Sequence, residues 1–380
     1  MSSGHDQTSE FVAEASEHAW GAADGTNPAS RPAEDFAAAD PLSDLLRTVK
    51  LAGALFFLVD ATSPWCVDIP QADEFAEILF PRARSIISYH VVVRGSGFVS
   101  VPGIELIPFE AGDIIVFPHG DAYRMESAPG IPPEFNREET ISFFTELAAG
   151  RVPFIVKEGG GEHPAAQFIC GFLGCDARPF NPLLAALPRL MHVRRVRVQG
   201  GDLLDRLIDL TLAEVRKPRA GGNCIRLGLS ELLFVEVVRG YLASLPADQP
   251  GWLNALRDPI VRRTLALLHS KPAHRWTIDR LAREIGTSRS VLAERFSRFV
   301  GQSPMKYLMH WRMQIAARRL SDGSSKVSAV AIDVGYASEA AFSRIFKKVA
   351  GISPSAWRMR YGPPAATMPS AKRSPKIRLR

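Results

Sequence analysis

The chain has 380 residues, with 46 Lys and Arg against 40 Asp and Glu and a formal net charge of +6. That length holds two domains or slightly more, each able to bury its own core. No apolar run approaches the roughly 18 residues needed to span a bilayer, and the N-terminus lacks a basic stretch followed by an apolar one, which argues against secretion. The mild net charge conceals an asymmetry. Residues 257–380 carry 25 basic and 7 acidic side chains, whereas residues 1–256 carry 21 and 33. A strongly basic C-terminal third suits phosphate neutralisation, and the acidic remainder must have another task. The four cysteines, Cys66, Cys170, Cys175 and Cys224, are not densely spaced and fit a reducing cytoplasm.

In chain order, residues 1–40 are rich in Ala, Ser, Glu, Asp and Gly, with no period, and read as a disordered leader. Residues 41–200 read as β structure. The segments Phe56–Val59, Ser85–Val101, Ile104–Phe109 and Asp113–Pro118 are short, β-branched and punctuated by Gly and Pro, as in an antiparallel sandwich or barrel. A turn at Ala111-Gly112-Asp113 feeds a buried strand that Pro118 stops, and Gly120-Asp121 make another turn. Gly159-Gly160-Gly161 reads as a hairpin loop, and Gly171-Phe172-Leu173-Gly174 as a turn between Cys170 and Cys175. The apolar spacing then predicts two amphipathic helices, Asp202–Val215 and Leu227–Leu245, joined at Gly221-Gly222 within a helical segment 201–250. Their apolar faces (Leu203, Leu204, Leu207, Ile208 and Leu212; Leu229, Leu232, Leu233, Val237 and Leu242) exceed what covering one barrel needs, which predicts a dimer.

Residues 251–361 contain two successive helix-turn-helix patterns. In each, an apolar-periodic helix reaches a glycine, Gly286 or Gly335. Ser288 or Ser338 then stands where it caps the next helix. The second helix of each pair has a predicted buried face, Val291, Leu292, Phe296 and Phe299, or Ala341, Phe342, Ile345, Phe346 and Val349. The other face is basic. The expected DNA contacts are Arg289, Ser290, Ala293, Glu294 and Arg298 in the first, and Ser338, Glu339, Ala340, Ser343, Arg344, Lys347 and Lys348 in the second. Trp276, Leu281, Ile285, Phe296, Trp311, Ile332, Phe342 and Phe346 are expected in the core. Residues 362–380 form a basic tail that adds non-specific DNA affinity.

Residues Asp279, Leu281, Ala282, Ser288, Leu292, Arg295, Phe296, Gly301, Ser303, Pro304, Tyr307 and Leu308 begin a pattern that continues through Gly335, Tyr336, Ser338, Phe342, Phe346, Gly351, Pro354 and Trp357. From about Trp252 to Arg360 the chain resembles the DNA-binding domain of the AraC/XylS family of bacterial transcription regulators. The resemblance implies a rigid helix, here about Pro304 to Leu320, that joins two helix-turn-helix units entering successive major grooves. Upstream, Tyr89–Val101, Phe109–Met125 and Ile169–Val193 resemble the cupin jelly roll that serves as a sensor in many such regulators. The implied fold class is an α+β multidomain chain, with a cupin, then helices, then an all-α domain.

A cupin can also be a metal enzyme, so its ligands matter. Catalytic cupins place a His-x-His pair and a Glu near one another on a strand, with a further His on the returning strand. Here Val92 stands where the second His would fall, and Tyr123 takes the return position; His119 reads as a turn residue. That is a poor metal set, and no metal or cofactor is expected. His90, Tyr123, Tyr89 and Phe117 read instead as an effector pocket. Cys170 and Cys175, with His163 and Asp176 nearby, offer a thiol or soft-ion sensor as the alternative. No Ser-His-Asp, Walker or dinucleotide fingerprint points to catalysis, and no catalytic residue is assigned. The chain thus reads as a cytoplasmic, nucleoid-associated bacterial transcription regulator rather than an enzyme. Its expected partners are double-stranded DNA, a small-molecule effector, RNA polymerase and a second copy. The rival is a cupin with metal-dependent or thiol-sensing activity fused to a DNA-binding module.

Overall fold

The computed structural model describes residues 40–81, 83, 85–176, 178–194, 203–217, 219–246, 251–323 and 325–362. The expectations for the leader, for the basic tail and for Asp202 lie outside them.

Among the described residues, ten strands form two sheets. The larger combines β1 (Lys50–Thr62), β3 (Ser85–Arg94), β6 (Ile114–Phe117), β8 (Ile155–Glu158), β9 (Pro164–Asp176) and β10 (Met191–Val193), in the order β10-β6-β3-β9-β1-β8. The smaller holds β2 (Cys66–Ile69), β4 (Ser96–Ser100), β5 (Ile107–Glu110) and β7 (Tyr123–Glu126), in the order β2-β7-β4-β5. Most neighbours are antiparallel; β8 runs parallel to β1. Together they make the β-rich cupin part of an α+β chain.

Strand alternation assigns each side chain a layer. Phe57, Val59, Val92, Ile115, Phe117, Phe168, Cys170 and Phe172 point into the space between the sheets, beneath α2 (Ala76–Leu79) and α3 (Arg137–Ala148). Phe56, Leu58, Tyr89, Val91, Val116, Ile169 and Leu173 point to the opposite face. There α1 (Pro41–Thr48), α4 (Pro182–Ala186), α5 (Leu203–Arg216) and α6 (Gly222–Ser244) contribute to one core with them. Burial on both faces explains why β3 reads as a nearly unbroken apolar run. Asn181 caps α4 by accepting from the Leu184 amide at 3.0 Å.

Two turn assignments from sequence are wrong. Gly171–Gly174 is not a turn; it lies inside the thirteen-residue strand β9. Its glycines are needed because the Tyr89 ring lies over Gly171 and the Phe80 ring over Gly174, where a Cβ would collide. Nor does the Gly159–Gly161 run close a hairpin. It carries the chain past the end of β1, which separates β8 from β9 in the sheet. A Cβ at Gly159 or Gly161 would strike the carbonyls of Thr62 or Ser63.

The C-terminal part is helical: α7 (Trp252–Ala255), α8 (Pro259–Ser270), α9 (Ile278–Ile285), α10 (Arg289–Val300), α11 (Pro304–Ser321), α12 (Val327–Asp333), α13 (Glu339–Ala350) and α14 (Pro354–Tyr361). The first half shares its core with the outer face of the large sheet, while the second has its own, built on Met313, Leu320, Val330, Phe342, Phe346 and Trp357. Two expected core positions fail. Ile332 is 68 % exposed and Val291 is 38 % exposed. In each case a short amphipathic helix turns the residue away once its neighbours, Val330 and Ala331 or Leu292, have filled the interior. Among the described residues, no helix is long and apolar enough to cross a membrane.

Candidate nucleic-acid interface and ligand cavity

Both helix-turn-helix units are built by local chemistry. Gly286 and Gly335 take positive φ angles of 72° and 87°, which only glycine adopts without strain. Ser288 Oγ accepts from the Val291 amide at 3.2 Å, and Ser338 Oγ from the Ala341 amide at 3.2 Å, so each second helix starts at a fixed place. Leu292 and Phe296 anchor α10, as Phe342 and Phe346 anchor α13. With those faces buried, Arg289, Ser290, Glu294 and Arg298 on α10 are exposed, and Ala293 is half-buried. On the second unit Ser338, Glu339, Ala340, Arg344, Lys347 and Lys348 are exposed, with Ser343 half-buried. Arg295 has a structural task, pairing at 3.0 Å with Asp258, the cap of α8.

The bridge between the units is held rigidly. From α11, Arg312 donates to the carbonyls of Pro272 at 2.7 Å and His274 at 2.9 Å, and its guanidinium lies 5.7 Å from the centre of the Tyr336 ring. One side chain thus ties the loop before the first unit to the turn of the second.

The cupin part grips the same bridge. His269 is buried, stacked 4.1 Å from Trp311; its Nδ1 donates to Asp44 of α1 at 3.2 Å and its Nε2 accepts from the Tyr307 hydroxyl at 2.8 Å. Burial lowers its pKa, against the opposing pull of Asp44. Just past β9, the Phe180 amide donates to the buried Gln314 of α11 at 2.9 Å. Arg178, paired with Asp176 at 2.6 Å, lies 4.4 Å from the Tyr361 ring centre and donates to its hydroxyl at 2.8 Å.

Between the sheets lies a narrow cavity of about 60 Å³, partly open to solvent. Phenylalanine rings dominate its lining, among them Phe57, Phe135, Phe143 and Phe172. His90 and Tyr123 are in the wall, brought together as β3 and β7 face each other: His90 Nε2 is 2.7 Å from the Tyr123 hydroxyl and Nδ1 is 3.1 Å from Cys170 Sγ. Burial pushes the imidazole pKa down to about 3 and the Tyr123 and Cys170 pKa values up, so all three groups are neutral. Phe117 stands behind, stacked 3.6 Å from Tyr123. Tyr89 is on the other side. As the strand neighbour of His90 it points away from the cavity, its hydroxyl 3.1 Å from Ser230 of α6.

Sequence reading missed Glu158, at the end of β8. It is 8 % exposed, lines the cavity and leaves Oε2 with no hydrogen-bond partner. Burial, reinforced by the nearby Glu134 carboxyl, raises its pKa to about 8. The only local signal was one acid ending the short strand Ile155–Glu158.

A family model described as a cupin matches residues 40–243, and one described as a helix-turn-helix domain matches residues 281–360. A protein of Streptomyces lividans named as an AraC-like transcription regulator is 31% identical over 84% of this chain and 98% of its own length. The chain belongs to the AraC family. The transcriptional regulator AlkR of Acinetobacter baylyi is 28% identical over 73% of this chain and 89% of its own. A crystal structure of a DNA-binding transcriptional dual regulator from Escherichia coli K-12, 26% identical, covers 31% of this chain and 97% of that one, with a TM-score of 0.26.

In this AraC-type regulator Cys170 and Cys175 do not meet. Five positions apart on one strand, they point to opposite faces about 16 Å apart along it. Cys170 lies in the inter-sheet core and Cys175 in the core beneath α1 and α4. Among the described residues no group of three or more His, Cys, Asp or Glu side chains is placed to hold a metal ion.

Proposed function

We propose that this regulator binds promoter or operator DNA sequence-specifically through α10 and α13, and that a small molecule in the inter-sheet cavity controls it. The contacts are Arg289, Ser290, Ala293, Glu294 and Arg298, with Ser338, Glu339, Ala340, Ser343 and Arg344, while Lys347 and Lys348 meet phosphate. His90 and Tyr123 contribute to the effector site, and Phe117 buttresses them. The cupin is a sensor, not an enzyme. RNA polymerase is the partner through which binding acts on transcription. A second copy packs on the exposed Leu203, Leu210, Ile225 and Leu232 of α5 and α6. The protein works in the cytoplasm, at the nucleoid.

One observation carries the regulatory part of this reading. Strand β9 supplies Phe168, Cys170 and Phe172 to the cavity wall, and the segment it leads into supplies Arg178 and Phe180 to the grip on α14 and α11. A ligand that shifts β9 therefore biases the helix that sets the two readers. Thr140→Phe, which fills the cavity from α3, tests this. The base sequence of the bound sites should be unchanged, while their occupancy and the transcription from them should lose their response to growth conditions. An unaltered response would refute the regulatory role of the cavity.

A further inference from the structure

The cavity has a chemical preference written into its walls. Among the described residues no Lys or Arg lines it, and the Arg124 guanidinium beside the lining Cys66 is already paired with Glu126 at 3.1 Å. His90 cannot serve as a cation, because both ring nitrogens are engaged and burial keeps it neutral. The acidic groups are Glu158 in the wall, Asp68 at the mouth and Glu134 beside Glu158. A buried carboxyl oxygen without a partner carries a desolvation cost that a donor from outside would remove. Aromatic faces around it attract a cation, and their edges and faces bury an apolar body.

We propose that the cavity takes a small apolar amine, with its ammonium group against the free oxygen of Glu158 and its body among the phenylalanine rings. This rests on the reading of the cavity as an effector site. An ammonium supplies the missing hydrogen bond and the charge that keeps Glu158 ionised. An alcohol of the same shape supplies only the hydrogen bond, and an acid finds an acidic wall that offers its carboxylate no cation. The raised pKa of Glu158 fits this division: Glu158 holds a proton that an arriving ammonium displaces into solvent.

The test is calorimetric titration of the full chain at pH 7 with tryptamine, tryptophol and indole-3-acetate, which share one ring system and differ in the terminal group. Tryptamine should bind about tenfold or more tighter than tryptophol, as a hydrogen bond to a charged group implies, and indole-3-acetate weakest. Glu158→Gln should remove the preference for tryptamine and leave tryptophol nearly unchanged. Phe135→Ala, at the mouth and 40 % exposed, should weaken tryptamine and tryptophol alike without disturbing the fold. Equal or tighter binding of tryptophol or indole-3-acetate, or tryptamine binding untouched by Glu158→Gln, overturns the amine assignment and leaves the effector cavity standing. If none of the three binds, both fall.

Discussion

Phe346→Ala probes how α13, the second helix proposed to read DNA, is held. The ring is fully buried, 5.5 Å from the Phe342 ring and edge-on to Trp357 at 5.7 Å and 86°. A buried phenylalanine removes at least about 150 Å² from water, and at about 25 cal/mol per Å² that is close to 4 kcal/mol. Keeping the methyl returns some of this, while the cavity left behind adds to the loss, so the expected cost is about 3–5 kcal/mol. The core around it is small and includes the buried alanines Ala316, Ala317 and Ala331, which cannot move in to refill the space. Because the first unit shares its core with the cupin part, the damage should stay in the second. Thermal unfolding followed by circular dichroism should show early loss of helix, and footprints should shrink to the half read by α10. Ile332→Ala, at an exposed position of the same unit, should change stability by less than about 0.5 kcal/mol. Unchanged stability with lost DNA binding in Phe346→Ala would put the ring on the DNA-facing surface and refute the packing described.

Glu158 gives a pH signature. Its folded pKa of about 8 lies above the ordinary 4.5, so the folded state holds a proton the unfolded chain releases, and the associated stability is lost as pH rises from about 4.5 through 8. The melting temperature of Glu158→Gln should therefore exceed that of the wild type at pH 8.5 by more than at pH 5; parallel curves would contradict the buried, protonated carboxyl. Arg344→Ala should cost about 1–3 kcal/mol in specific binding and relax base preference, measured by competition with random DNA; equal losses on both DNAs would make Arg344 a phosphate contact. In the native protein iodoacetamide should modify Cys224, the exposed thiol, and spare the buried Cys66, Cys170 and Cys175. Mass spectrometry reads the outcome, and a Cys170–Cys175 disulfide after mild oxidation would overturn the strand register.

The DNA-reading half was legible because its signals are local. A glycine, a capping serine and an apolar period fix each helix-turn-helix within about twenty residues, and α10 and α13 fall close to where spacing put them, as α11 falls close to where the family resemblance put it. Ile332 was misjudged because a seven-residue helix shows too little period to tell its faces apart. In the cupin half the decisive facts are non-local. Alternation alone puts Tyr89 and His90 on opposite faces, yet which face meets the cavity depends on the pairing of β3 with β6 and β9. Gly171 and Gly174 looked like turn residues because the rings that require them, Tyr89 and Phe80, lie far away in sequence. Glu158 carried little signal until β8 was seen beside β1, at the cavity.

We propose that one chain reads DNA with two rigidly spaced helices, α10 and α13. A hydroxyl-radical footprint of the full chain on a site taken from a genome-wide binding map tests it most directly. Two protected blocks should appear on one side of the duplex, about one helical turn or 10–10.5 base pairs apart. Base substitutions in the block read by α13 should weaken wild-type binding and have little effect on Arg344→Ala. A single block, or protection that ignores base sequence, would contradict the account.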